Sequence, residues 1–70
     1  PEQENERRER VERLAVAVAR LGDRCRELFR LKLLGMSFGE IRKEMEAASI
    51  NTVYTWDLRC REQLKALLEG

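Results

Sequence analysis

SFGEIRKEMEAASINTVYTWDLRCREQLKALL, residues 37–68, decides how this chain folds. It opens on Ser37 with Glu40 three residues later, the spacing of a capping box at a helix start. Phe38, Ile41 and Met45, with Ala48 beyond them, then recur at helical intervals and mark the inner side of a short helix. Ala47-Ala48-Ser49 reads as a turn, and Ser49 is placed to cap a further helix. The inner face of that last helix is Val53, Trp56, Cys60, Leu64, Leu67 and Leu68, with successive gaps of 3, 4, 4, 3 and 1.

Upstream the text stays helical. Cys25, Leu28, Phe29 and Leu33 share an inner arc, widened by Leu31 and Leu34, in a helix expected from about Arg24 to Leu34. Asp23 is placed to cap it and Gly35 to stop it. A first helix carries the stripe Val11, Leu14, Ala15, Val18 and Leu21, which Gly22-Asp23 interrupts. Residues 2–10 hold no apolar side chain, so 1–10 reads as a charged linker or helix extension ahead of a domain at 11–70. A chain opening on Pro1 rather than Met is expected of a fragment or processed product. With no alternating apolar run and no Asn-Gly or Asp-Gly hairpin, the expected class is all-α, four helices ending in a helix-turn-helix.

Composition narrows the function classes. Seventy residues suit one small domain with a marginal core. Fourteen Lys and Arg against 13 Asp and Glu leave a net charge of +1. No apolar run approaches the length of a membrane span, and no secretory core is present. The absence of His removes the usual general base and any zinc site with nitrogen ligands. Two Cys are too few for a four-thiolate site. Cys25 and Cys60 fall on inner faces and are expected to be core thiols rather than a disulfide or a reactive site. Each sits in an Arg-Cys-Arg-Glu tetrapeptide, which reads as coincidence because the flanks differ.

A short helix, a tight turn and a longer helix make the plan in which the first helix braces the second, and the second enters the major groove. The side of the last helix opposite Val53, Trp56 and Cys60 holds Asn51, Thr52, Tyr54, Thr55, Asp57, Leu58, Arg59, Arg61 and Glu62. Asn can read adenine, Arg can read guanine, and hydroxyls can bind phosphate. Trp56 is read as a core residue before a base-stacking one, since it lies on the apolar arc. Tyr54 lies off that arc, where its hydroxyl serves a ligand or simply meets solvent. The basic stretch Arg24, Arg26, Arg30 and Lys32 reads as a solvated face, with DNA-backbone contact as the alternative.

These pieces resemble a known family. Leu21 with Arg24-Cys25-Arg26, then Gly35-Met-Ser37-Phe38-Gly-Glu40-Ile41, Thr52-Val53, Arg59-Cys60-Arg61 and Leu64 are similar, in order and spacing, to the fourth conserved region of bacterial RNA polymerase sigma factors. The likeness covers roughly residues 11–68. It implies a module that recognises the −35 element of promoter DNA, docks on the flap of the RNA polymerase β subunit, and can be masked by an anti-sigma factor. Carried over position by position, DNA contacts fall on Asn51, Thr52, Tyr54, Thr55 and Arg59, with Arg61 on a phosphate. Such a module is cytoplasmic, is not an enzyme, and needs no cofactor, metal, membrane or small-molecule substrate. The near-neutral charge, with Arg42 and Glu46 inside the motif, keeps a second reading open: a sigma-like interaction module, an adaptor or anti-sigma-binding domain, that does not bind DNA.

Overall fold

The computed structural model describes residues 2–69. The chain forms four helices: α1 (Glu2–Arg20), α2 (Asp23–Leu33), α3 (Phe38–Glu44) and α4 (Ile50–Glu69). No strand occurs among the described residues, so the class is all-α as expected. Pro1 and Gly70, the outer limits of the two expected units, lie outside the described residues.

The core sits where α2, α3 and α4 meet. Leu28, Ile41 and Val53 are fully buried there, one from each helix, with Leu31, Cys25, Cys60, Leu21 and Ala47 around them. Burial of such side chains contributes roughly 1.5–3 kcal/mol each. Phe29, Phe38, Met36, Met45, Trp56, Leu64 and Leu67 close the periphery as half-buried side chains.

The charged stretch at the start takes the helical option and extends α1 outward. Its consequence is that Val11 (59% exposed) and Leu14 (44%), both expected inside, are uncovered. Ala17 is the one buried residue among the described side chains of α1, Leu21 just past its end is also buried, Val18 is half-buried, and Ala15 is exposed. The molecule measures 46 × 24 × 15 Å, and α1 packs on α2 and α4 alone, so its first turns project past the body.

In α2 the buried positions are Cys25, Leu28 and Leu31, an i, i+3, i+6 arc. Leu33 is 89% exposed and Leu34 66%, against expectation. Leu33 lies two residues past Leu31, which turns it to the opposite side of the helix. Leu34 is already the C-cap residue, where the helical arc ends. The N-cap is Gly22, not Asp23, and it makes no side-chain cap. Asp23 stands in the first turn and pairs with Arg26 instead.

The capping box at α3 is complete. Ser37 Oγ accepts from the Glu40 N–H at 3.2 Å, and the Glu40 carboxylate accepts from the Ser37 N–H at 3.1 Å. Hydrogen bonding to the Ser37 backbone N–H first, and to the Ser37 side chain after it, holds the Glu40 carboxyl below its ordinary range. The cap therefore contributes in full above that range and fades as pH falls through the depressed value.

Two helix ends close in the same way. After α2, the Met36 N–H donates to the Leu31 carbonyl and the Gly35 N–H to that of Lys32, with Gly35 at φ 82°. After α3, the Ala47 N–H donates to the Arg42 carbonyl and the Glu46 N–H to that of Lys43, with Glu46 at φ 55°. Both are Schellman closures, whose left-handed residue is normally Gly. Gly35 suits its position, whereas Glu46 carries a Cβ into a region that costs L-residues about 1–2 kcal/mol. Glu46→Gly is therefore expected to stabilise the domain by about 1 kcal/mol and raise Tm by about 4–8 °C. A thermal melt in which the variant is less stable than the parent contradicts this account.

The connection between α3 and α4 runs from Met45 to Ser49, longer than the Ala47-Ala48-Ser49 turn expected. Ala47 is buried within it and Ala48, expected to face in, is exposed. Ser49 caps α4 as expected, its Oγ accepting the Thr52 N–H at 3.3 Å.

Candidate nucleic-acid interface

Helix α4 is held on its inner side by Val53, Asp57 and Cys60, all buried. Three links then fix it to the rest of the chain.

The first link is a disulfide. Cys25 and Cys60 are buried as expected, but they are bonded rather than separate thiols, with Cα atoms 5.4 Å apart. Cys25 on α2 and Cys60 on α4 meet because both helices turn their apolar arcs to one core. Their separation of 35 residues gives no hint of that meeting.

The second link is ionic. Asp57, expected among the outer residues, is only 6% exposed. It follows Val53 by four residues and precedes Cys60 by three, which places it on the inner arc. Lys32 from α2 reaches it at 2.6 Å, and Arg61 at 3.1 Å from one turn along α4. The Lys32 ammonium also lies 5.8 Å from the ring centres of both Phe29 and Phe38. A carboxylate is tolerated at a core position because a neighbouring helix delivers its counter-charge. The 3/4 spacing of residues 53, 57, 60 and 64 was the sequence signal for it.

The third link is aromatic. Phe38 of α3 and Tyr54 of α4 meet edge to face, with centroids 4.7 Å apart. Tyr54 remains 48% exposed, so its ring braces α3 while part of it stays open.

On the outer side, Asn51, Thr55, Leu58 and Glu62 recur at gaps of 4, 3 and 4 and are all exposed. They form the crest: one amide, one hydroxyl, one aliphatic group and one carboxylate. Thr52 and Arg59 stand on one flank, Tyr54 and Arg61 on the other. The structure thus brings the six expected contact residues onto one helix, without making them equivalent. Thr52 is half-buried, and its hydroxyl lies 3.2 Å from Ser49 Oγ. The Thr55 hydroxyl donates to the Asn51 carbonyl at 3.0 Å. Both hydroxyl oxygens keep acceptor capacity toward a donor outside. Arg61 is drawn toward Asp57, whereas Arg59 is exposed and makes no ion pair among the described residues.

Trp56 packs against the core as expected but only half-buried, and the Arg24 guanidinium carbon lies over its ring at 4.6 Å. The other cations of that basic stretch are taken by acids. Arg26 pairs with Asp23, Lys32 with Asp57, and Arg30 with Glu27 at 2.6 Å. The Arg30 hydrogen bonds hold the Glu27 carboxyl below its ordinary range.

A shallow cleft of about 400 Å³ lies at the other end of α4, lined by Val16, Ala17, Arg20, Leu67 and Leu68 among others. Among the described residues no His/Cys/Asp/Glu group is arranged to hold a metal ion, and no helix is long and apolar enough to cross a membrane. Compared with protein-family models, with curated proteins and with solved structures, the chain matches none.

Proposed function

We propose that this domain binds promoter DNA as a helix-turn-helix of the sigma-factor region 4 kind, with α3 as the brace and α4 as the reading helix. One observation carries the reading: α4 is pinned on its inner side by Val53, Asp57 and Cys60, while Asn51, Tyr54, Thr55 and Arg59 stand exposed. A reading helix needs this division, because its base-contacting side chains must be free while its angle is fixed. In this reading Asn51 and Arg59 contact base edges, Tyr54 and Arg61 contact phosphates, and the Thr52 and Thr55 hydroxyl oxygens accept from base amino groups. The role is binding, not catalysis.

A net charge of +1 neutralises few phosphates, so the isolated domain binds DNA weakly. Docking on the RNA polymerase flap, in the cytoplasm, then supplies the missing affinity by raising effective concentration. An anti-sigma factor would act by covering the same surfaces.

Arg59→Ala tests the assignment. Affinity for a −35-type duplex is expected to fall by about 1–3 kcal/mol if the guanidinium reads a base. Because Arg59 is exposed and unpaired with any described acid, the melt is expected to stay within about 0.5 kcal/mol of the parent. Unfolding of this variant would make Arg59 structural and remove it from the interface.

A second reading, a protein-interaction module without DNA binding, is favoured by Leu58, 52% exposed at the centre of the crest, and by the uncovered Leu33. A salt titration separates the two. A groove reader loses affinity steeply as salt rises. Absence of duplex binding even at low salt, together with a stable complex with another protein, selects the interaction module.

A further inference from the structure

We infer that Arg24 and Trp56 form a phosphodiester-binding arm on the flank of α4, with Trp56 as the shelf that holds the Arg24 guanidinium out toward the nucleic-acid backbone; this rests on the DNA-binding reading above.

Three observations converge on it. The first is selection within the basic stretch. Arg26, Arg30 and Lys32 are each neutralised by a carboxylate, whereas Arg24 makes no ion pair among the described residues and meets an aromatic ring instead. It is the one cation of the stretch left with charge to offer a ligand.

The second is placement. Thr52, Trp56, Arg59 and Gln63 recur at gaps of 4, 3 and 4, so they share one flank of α4. The Gln63 side-chain oxygen lies 3.9 Å from Cys25 Sγ, which sets the start of α2 against this flank. With its guanidinium over Trp56, Arg24 therefore stands beside the flank that carries Arg59. A groove-bound helix is bordered by the phosphates of the two strands, and such a flank faces one of them.

The third is chemistry. A guanidinium held over an aromatic face is fixed without using up its N–H donors, which lie in its own plane. Those donors match the oxygens of a phosphodiester in bidentate fashion. A carboxylate partner would have consumed them and cancelled the charge. A half-buried tryptophan thus converts a flexible surface arginine into a pre-positioned one, reducing the ordering cost on binding.

The test uses the whole chain and a mixed-sequence duplex of about two helical turns, with affinity measured across a salt series. Arg24→Gln is expected to weaken binding several-fold on every sequence alike and to reduce the salt slope by about 0.9. Arg24→Lys is expected to restore the slope but only part of the affinity, since charge returns without the planar fork. Trp56→Leu, or Trp56→Phe if the leucine variant does not fold, is expected to weaken binding in the parent and to have no further effect on Arg24→Gln. A tryptophan that acted only on stability, or on a base, would weaken both backgrounds equally. Parent protein that binds duplex, with slope and affinity unchanged in Arg24→Gln, overturns this arm and leaves the DNA-binding reading intact. Parent protein that binds no duplex at low salt overturns both.

Discussion

Reduction of the Cys25–Cys60 disulfide is expected to lower Tm by roughly 12–32 °C. The bond joins α2 to α4 across a separation of 35 residues. On the chain-entropy account, opening a loop of that length returns about 3–4 kcal/mol of freedom to the unfolded state. A domain of this size has a total stability of roughly 4–10 kcal/mol, so the loss is a large fraction of the whole. Each kcal/mol is worth about 4–8 °C here. Melts of the oxidised protein, the reduced protein and a Cys25→Ser/Cys60→Ser double variant would measure it, with the thiol count established by mass. The double variant is expected to follow the reduced protein, with a further cost for hydroxyls placed in an apolar site. A reduced protein melting within about 3 °C of the oxidised form would show that packing alone holds α2 on α4. The comparison bears on the proposed cytoplasmic setting, where thiol reductants keep most such pairs open. The sulfurs are well shielded, Cys60 2% exposed and Cys25 7%, so reduction is expected to proceed through opening of the fold rather than by direct attack.

Ile41→Ala is expected to cost about 2–5 kcal/mol, and Leu33→Ala almost nothing. Ile41 is fully buried and is the one buried residue of α3, so its truncation leaves a cavity where α3 meets the core. Helix α3 has seven residues, too few to persist without tertiary support. Its loss would free the Phe38 edge from Tyr54 and, on the proposed function, loosen the brace of the reading helix. Leu33 has the same aliphatic character on the neighbouring helix but is 89% exposed. The pair therefore measures position rather than hydrophobicity. Denaturant unfolding of both variants decides it: comparable losses would mean that Leu33 is covered in solution and that the exposed end of α2 is misassigned.

Signals in the sequence are legible where the physics is local. The capping box Ser37–Glu40, the Ser49 cap and the stop at Gly35 depend on residues within a turn or two of one another, and each stands as expected. Misassigned positions share a cause. Val11, Leu14 and Leu33 carry apolar side chains at helical spacing, yet periodicity cannot say where a covering helix ends. Asp57 is expected on the outer side, yet its spacing from Val53 and Cys60 belongs to the inner arc, where it is buried. Lys32, the cation that makes it tolerable, is 25 residues away in sequence. Trp56, expected inward from its place on the apolar arc, packs on the core only in part, and the arginine lying over it comes from another helix.

Sequence alone determined that this chain is four helices, where three of them are capped or stopped, and, Asp57 apart, which residues of α4 could face outward. These follow from interactions between near neighbours, whose geometry any helix imposes. Tertiary structure decided the disulfide, the buried Asp57–Lys32 pair, the half-covered Trp56 beneath Arg24 and the bare first turns of α1. Each of these depends on how distant helices are rotated and how far they overlap, and those quantities are set by the packing of Leu28, Ile41 and Val53 together rather than by any one stretch of the chain.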